Sequence, residues 1–87
     1  MNIFPSTHFK RALKKVLKRR PDLKTQIEKK IDLLREESSH PSLGLHKLKG
    51  EHAKDWGISI EKDLRITFTY VSNGILLISI GKHEEVY

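Results

Sequence analysis

The sequence predicts an α+β fold: a four-stranded antiparallel sheet with an N-terminal helical hairpin packed on it, in the order β-α-α-β-β-β. Three observations predict it. Apolar residues recur at helical spacing between Phe9 and Leu34. Beyond Trp56 they recur at every second position, the period of a strand. Between two of these later stretches stands Asn73-Gly74, the strongest short hairpin signal.

Each element follows in order. Met1–Phe4 is short and apolar and suits a first strand. Pro5, Ser6 and Thr7 break it and offer a hydroxyl to cap a helix, whose first amides have no partner inside the helix. Phe9, Leu13, Val16 and Leu17 then form one face of an amphipathic helix, with basic residues on the other faces. Pro21 ends it. A second helix begins at once: Asp22 sits in its first turn, where the helix dipole favours negative charge, and Leu23, Ile27, Ile31 and Leu34 form its stripe. Ser38–Gly50, with two serines more, Pro41 and Gly44 inside it, breaks both periods and reads as a loop leading into the sheet. Trp56, Ile58 and Ile60 alternate, as do Leu64, Ile66, Phe68 and Tyr70, with Arg65, Thr67 and Thr69 on the opposite face. Ile75–Ile80 is almost continuously apolar, as expected of a covered central strand.

The chain has 87 residues, enough for one domain spanning 1–87. It has no cysteine, so disulfides and thiolate metal sites are excluded, in keeping with a cytoplasmic location. The apolar run Gly74–Ile80 is far too short to span a membrane, and no apolar core of a secretory signal follows the basic N-terminal residues. The net charge is +6 and unevenly spread. Residues 1–20 carry seven basic residues and no acid: Lys10, Arg11, Lys14, Lys15, Lys18, Arg19 and Arg20. Residues 21–40 and 41–87 are each close to neutral. A concentrated positive segment attracts polyanions, either nucleic acid or an acidic protein partner.

Several residues are candidates for chemistry. His83 follows the last strand and a glycine, and imidazole is the side chain best matched to proton transfer near neutral pH. Arg65 stands on the polar face of its strand, and a guanidinium suits phosphate oxygens. His46, Lys47 and Lys49 form a basic run before the sheet that can grip a phosphate backbone. Tyr87 offers a stacking surface, whereas Trp56, in an alternating apolar strand, reads as a core anchor. His40, His46 and His52 lie six residues apart with no acid or cysteine at ligand spacing, so no metal site is expected. His8, near a helix start, reads as structural or exposed. There is no glycine-rich phosphate loop, GxSxG elbow or HExxH motif, which excludes nucleotide-triphosphate and serine-hydrolase chemistry.

Three segments together resemble the RelE/ParE toxin superfamily, above all its RelE and YafQ branches. They are Leu45-His46-Lys47-Leu48-Lys49-Gly50, then Trp56-Gly57-Ile58-Ser59-Ile60 with Asp63-Leu64-Arg65-Ile66-Thr67-Phe68, then Ile78-Ser79-Ile80-Gly81-Lys82-His83-Glu84-Glu85-Val86-Tyr87. The resemblance implies a toxin of a type II toxin–antitoxin system. Such toxins are endoribonucleases that need no metal or cofactor and cut mRNA on the ribosome, the 2′-hydroxyl attacking the adjacent phosphate. It also implies an antitoxin that masks the site and through which the complex binds operator DNA. By the same resemblance His83 is the acid or base, and Arg65 stabilises charge on the phosphate. Lys47 and Lys49, in the substrate-facing segment, count with His83 and Arg65 as catalytic, and His46 in the same segment as substrate-binding. Asp63 matches an acid near the active site, and Tyr87 the terminal aromatic near the scissile nucleotide. Two positions depart from the pattern: Ser59 stands where YafQ-like sequences carry a second histidine, and Ser79 where many members carry an arginine on the last strand. Two further readings follow: a ParE-like inhibitor of DNA gyrase that cuts no RNA, and a catalytically weakened toxin acting mainly within its antitoxin complex.

Overall fold

The corner at Ser6 organises the N-terminal half of the molecule. In the computed structural model, which describes residues 1–50 and 54–82, strand β1 (Asn2–Pro5) runs directly into helix α1 (Thr7–Arg19). The Ser6 Oγ accepts from the amide of Phe9 at 3.0 Å, capping the helix as the sequence predicts. The same hydroxyl donates to the Ile78 carbonyl at 3.1 Å, and the Ser6 amide donates to that of Leu77 at 3.0 Å. One residue thus caps α1 and fixes it beside the last strand. Arg20 closes α1, and a 3-10 turn at Pro21–Leu23 leads into α2 (Lys24–Glu36).

The sheet has five strands, not the four expected, and is mixed rather than wholly antiparallel. Its order is β1-β5-β4-β3-β2, with β2 at His46–Lys47, β3 at Trp56–Glu61, β4 at Leu64–Val71 and β5 at Gly74–Lys82. The extra strand is β2, within the segment read as a loop. Two residues are too few to show an alternating pattern, and only pairing with β3, His46 opposite Gly57 and Lys47 opposite Trp56, makes them a strand. The parallel pair is β1 with β5, from Asn2 opposite Gly74 to Pro5 opposite Leu77. A four-residue apolar stretch carries no sign of the direction in which its neighbour runs.

The core lies between the two helices and one face of the sheet. Phe9, Leu23, Ile27 and Leu34 pack against Ile58, Ile66, Phe68, Ile75, Leu77 and Ile80, all buried. Fully burying each such side chain contributes about 1.5–3 kcal/mol. Leu43, completely buried, pins a second 3-10 turn (Pro41–Leu43) to the same core, and the Lys30 ammonium donates to the Ser42 carbonyl at 2.7 Å. Among the described residues no helix is long and apolar enough to cross a membrane.

Candidate functional site

The register of the strands sorts their polar residues onto the face that the core does not occupy. Directly opposed residues share a face. Ser59 is opposite Arg65, and Arg65 opposite Gly81. One row further along, His46 is opposite Gly57, Gly57 opposite Thr67, and Thr67 opposite Ser79. Two parallel rows result, one of Ser59, Arg65 and Gly81, the other of His46, Gly57, Thr67 and Ser79. The alternation read from the sequence for Arg65 and Thr67 is therefore correct, and it extends across four strands.

Arg65 is half-buried, and its Nη1 donates to the Ser59 Oγ at 2.9 Å. Ser59 is in turn bordered by Gly44. A β-carbon at Gly44 would stand 3.4 Å from the Ser59 Oγ, and its φ of 59° is left-handed, a conformation that glycine adopts without strain. The His46 Nδ1 lies 3.0 Å from the Gly44 carbonyl. A carbonyl can only accept, so Nδ1 carries the proton and Nε2 is the basic nitrogen of the neutral ring. The loop thus sets the His46 tautomer while bordering the serine that holds Arg65.

Helix α1 supplies the wall of this face. A cleft of about 370 Å³ is lined by His8, Arg11, Ala12, Lys15, Val16 and Arg19 of α1 and by Ser79, Ile80 and Gly81 of β5. The His8 Nε2 stands 3.4 Å from the Ser79 Oγ. Strand β1 pairs only with the first half of β5, up to Leu77, and the chain then turns at Ser6, so α1 flanks the second half instead. A second hollow of about 230 Å³ shares Val16, Arg19 and Gly81 with the first and continues past Arg20, Glu61, Asp63 and Lys82. Asp63 therefore borders the same groove at its far end.

Charge along the groove is uneven. Arg20 is engaged: its guanidinium bonds Asp22 at 2.9 Å and Glu61 at 3.3 Å. The hydrogen bond from Arg20 holds the Asp22 carboxyl below the usual carboxylate range. Among the described residues no ion pair engages Arg11, Lys15 or Arg19. Among the described residues no carboxylate lines the first cleft, and the charged side chains that do are cationic.

The remaining sequence candidates fall apart in space. Lys47 is opposite Trp56, on the face away from His46, with its ammonium 6.0 Å from the centre of the Trp56 ring. Trp56 packs against the core and edge-on to Tyr70, the anchor role its alternation predicts. Lys49 is exposed beyond β2. His83, Tyr87 and His52 lie outside the described residues; β5 ends at Lys82, the residue before His83. Among the described residues no three His, Cys, Asp or Glu side chains gather at metal-binding distance. Sequence reasoning set His8 aside and did not single out Arg11, Lys15 and Arg19 from the other N-terminal cations. The available signal was their spacing, i, i+3, i+7 and i+11, which places all four on one helical stripe.

A polar sheet face walled by a cationic helix is the arrangement expected of a small protein that binds a polyanion. Comparison with known proteins makes that class specific. Residues 1–87 match the model of the YafQ bacterial toxins of type II toxin–antitoxin systems, and the chain belongs to that family. No curated protein matches it. Among solved structures it is similar to a copper-bound mutant toxin from Helicobacter pylori, at 22% identity and a TM-score of 0.86, covering 100% of this chain and 99% of that one. It is also similar to YafQ from E. coli, at 16% identity and a TM-score of 0.86, covering 99% and 97%. A third match is E. coli YafQ in its DinJ–YafQ complex, at 17% identity and a TM-score of 0.83, again covering 99% and 97%. These likenesses are likenesses of fold.

Proposed function

We propose that this toxin is a metal-independent endoribonuclease that cuts mRNA on the ribosome and thereby stops translation. The observation that carries the reading is Arg65, held by Ser59 on the polar sheet face beside a groove whose helical wall is cationic. In the reaction a base takes the proton of the 2′-hydroxyl, the O2′–P bond forms and the P–O5′ bond breaks. An acid returns a proton to the departing O5′, leaving a 2′,3′-cyclic phosphate. Arg65 suits the stabilisation of the charge that builds on the phosphate, because a planar guanidinium can bond two phosphate oxygens at once. His83 is assigned one of the proton transfers. His46, with Nε2 as its basic nitrogen, and Asp63, at the groove's far end, are assigned to substrate binding. So is Tyr87, as a surface for a base to stack on. Lys47, which lies on the other face of the sheet beside Trp56, and Lys49, exposed beyond β2, are given no part in the proton transfers.

E. coli YafQ forms a complex with DinJ. By the same kinship this chain is assigned a cognate antitoxin that covers the groove and through which the pair binds operator DNA, in the cytoplasm. The test is inducible expression without antitoxin, followed by primer extension on a reporter message. The wild type is expected to arrest growth and cut within translated codons, and His83→Ala to lose both while still folding. Arrest without cuts would instead indicate a target such as DNA gyrase.

A further inference from the structure

Strand displacement at phosphorus by a 2′-hydroxyl requires two proton transfers, one on each side of the phosphate. Strand β5 supplies no imidazole: from Gly74 to Lys82 it carries no histidine, and its one charged residue is Lys82 at its end. The groove nevertheless contains one. His8 is exposed, in the first turn of α1, and its Nε2 faces β5 at the Ser79 hydroxyl, 3.4 Å away. Ser79 is on the same face as Arg65 and diagonal to it, because Thr67 is opposite Ser79 and Arg65 opposite Gly81. Diagonal neighbours on one face lie roughly 7–8 Å apart. The His8 ring reaches Ser79 from the α1 side, while the Arg65 guanidinium, further across the same face, reaches to Ser59, so a strand of RNA crossing this face from β5 to β4 would meet first the one and then the other.

The position of His8 is fixed rather than incidental. Ser6, two residues earlier, caps α1 and is bonded twice to β5, at Leu77 and Ile78. Among the described residues the charged and polar groups that line the cleft with His8 are Arg11, Lys15 and Arg19 from α1 and Ser79 from β5, with Arg65 beyond on β4; none of these is a carboxylate. The ring thus shares its cleft with three cations and has a hydroxyl 3.4 Å from its Nε2. That setting suits a phosphate.

We propose that His8 is a second proton-transfer residue of this toxin, acting on the RNA from the α1 side of the face that carries Arg65. This inference rests on the nuclease reading and deepens it. An imidazole in this role changes its protonation between about pH 5 and 8, so its removal must reshape the pH dependence of the reaction as well as its rate.

The test is single-turnover cleavage of a message held on ribosomes, measured across that pH range for the wild type and for His8→Gln. Binding is measured separately with a message carrying a 2′-deoxynucleotide at the cut position, which cannot be cleaved. His8→Gln is expected to cut about 100-fold more slowly, as loss of a general acid or base implies. It is also expected to lose one limb of the pH–rate profile while binding the deoxy message and melting like the wild type. Ser79→Ala, which removes only the neighbour of the ring, is expected to slow cleavage less. Cleavage by His8→Gln at the wild-type rate, with both limbs intact, would overturn the proposal. So would a loss of rate matched by an equal loss of binding. Absence of cutting by the wild type would overturn the nuclease reading itself, and this proposal with it.

Discussion

Gly74 answers two demands that arise far apart in the chain. It follows Asn73 in the hairpin that the sequence makes plain, and it begins β5 with a φ of 156°. It is also opposite Asn2, and a β-carbon there would run into the Asn2 carbonyl. The first demand is local and legible as Asn-Gly; the second depends on β1 lying alongside, which no local pattern announces. Gly74→Ala is therefore expected to destabilise the protein by at least about 1–3 kcal/mol, the usual cost of a strained backbone. For a domain this size each kcal/mol lowers the melting midpoint by about 4–8 °C. An unchanged midpoint in a thermal melt would contradict the close approach of the two strands. The polar face shows the same division at the level of single residues. Strand alternation places Arg65 and Thr67 on one face, and the register agrees. The contact of His8 with Ser79 joins positions 71 apart in sequence, and nothing short of the fold reveals it.

Helix α1 shows how much an element's period can say. Its apolar stripe was readable, and Phe9 is the buried anchor that the stripe predicts. Its cap was readable as well. The basic residues were readable only as a charge excess, because a period tells which residues share a stripe but not what each stripe faces. His8, Arg11, Lys15 and Arg19 face β5, while Lys10, Lys14 and Lys18 do not line the groove. Strand β2 lay below the length at which a period exists, and Pro41, Gly44 and Gly50 made its surroundings look like loop throughout. If the Arg11, Lys15 and Arg19 stripe carries RNA, replacing all three by glutamine removes three phosphate contacts. Each contact with a single strand contributes about 0.7 to the slope of log affinity against log salt, so the slope should fall by about 2. Fluorescence anisotropy on a labelled 2′-deoxy strand over a salt series measures it. The same replacement at Lys10, Lys14 and Lys18 should leave the slope nearly unchanged, and equal losses from the two sets would remove the distinction between the stripes.

At the scale of the whole molecule, the two faces of the sheet divide the work. One face and the helices form a core that uses almost every apolar residue of the period-based reading. The other face carries the two polar rows, and at their β5 end the side of α1 forms a cleft with a cationic wall. The helical hairpin, the last three strands and the placement of Arg65 were legible because each depends on a local period. The strand count, the parallel pair and the make-up of the groove were not, because each depends on contacts between segments distant in sequence. Three of the seven cations of residues 1–20, Arg11, Lys15 and Arg19, acquire a shared location only in the fold, as a wall. The account's central claim is that RNA is cut in this groove with Arg65 at the phosphate. The most direct measurement is cleavage of a message on purified ribosomes by wild type and Arg65→Ala at equal concentration. The account predicts codon-spaced cutting by the wild type and a rate about 100–1,000-fold lower in the variant, the range typical of losing one donor to a developing oxyanion. Cutting by Arg65→Ala at the wild-type rate would contradict it.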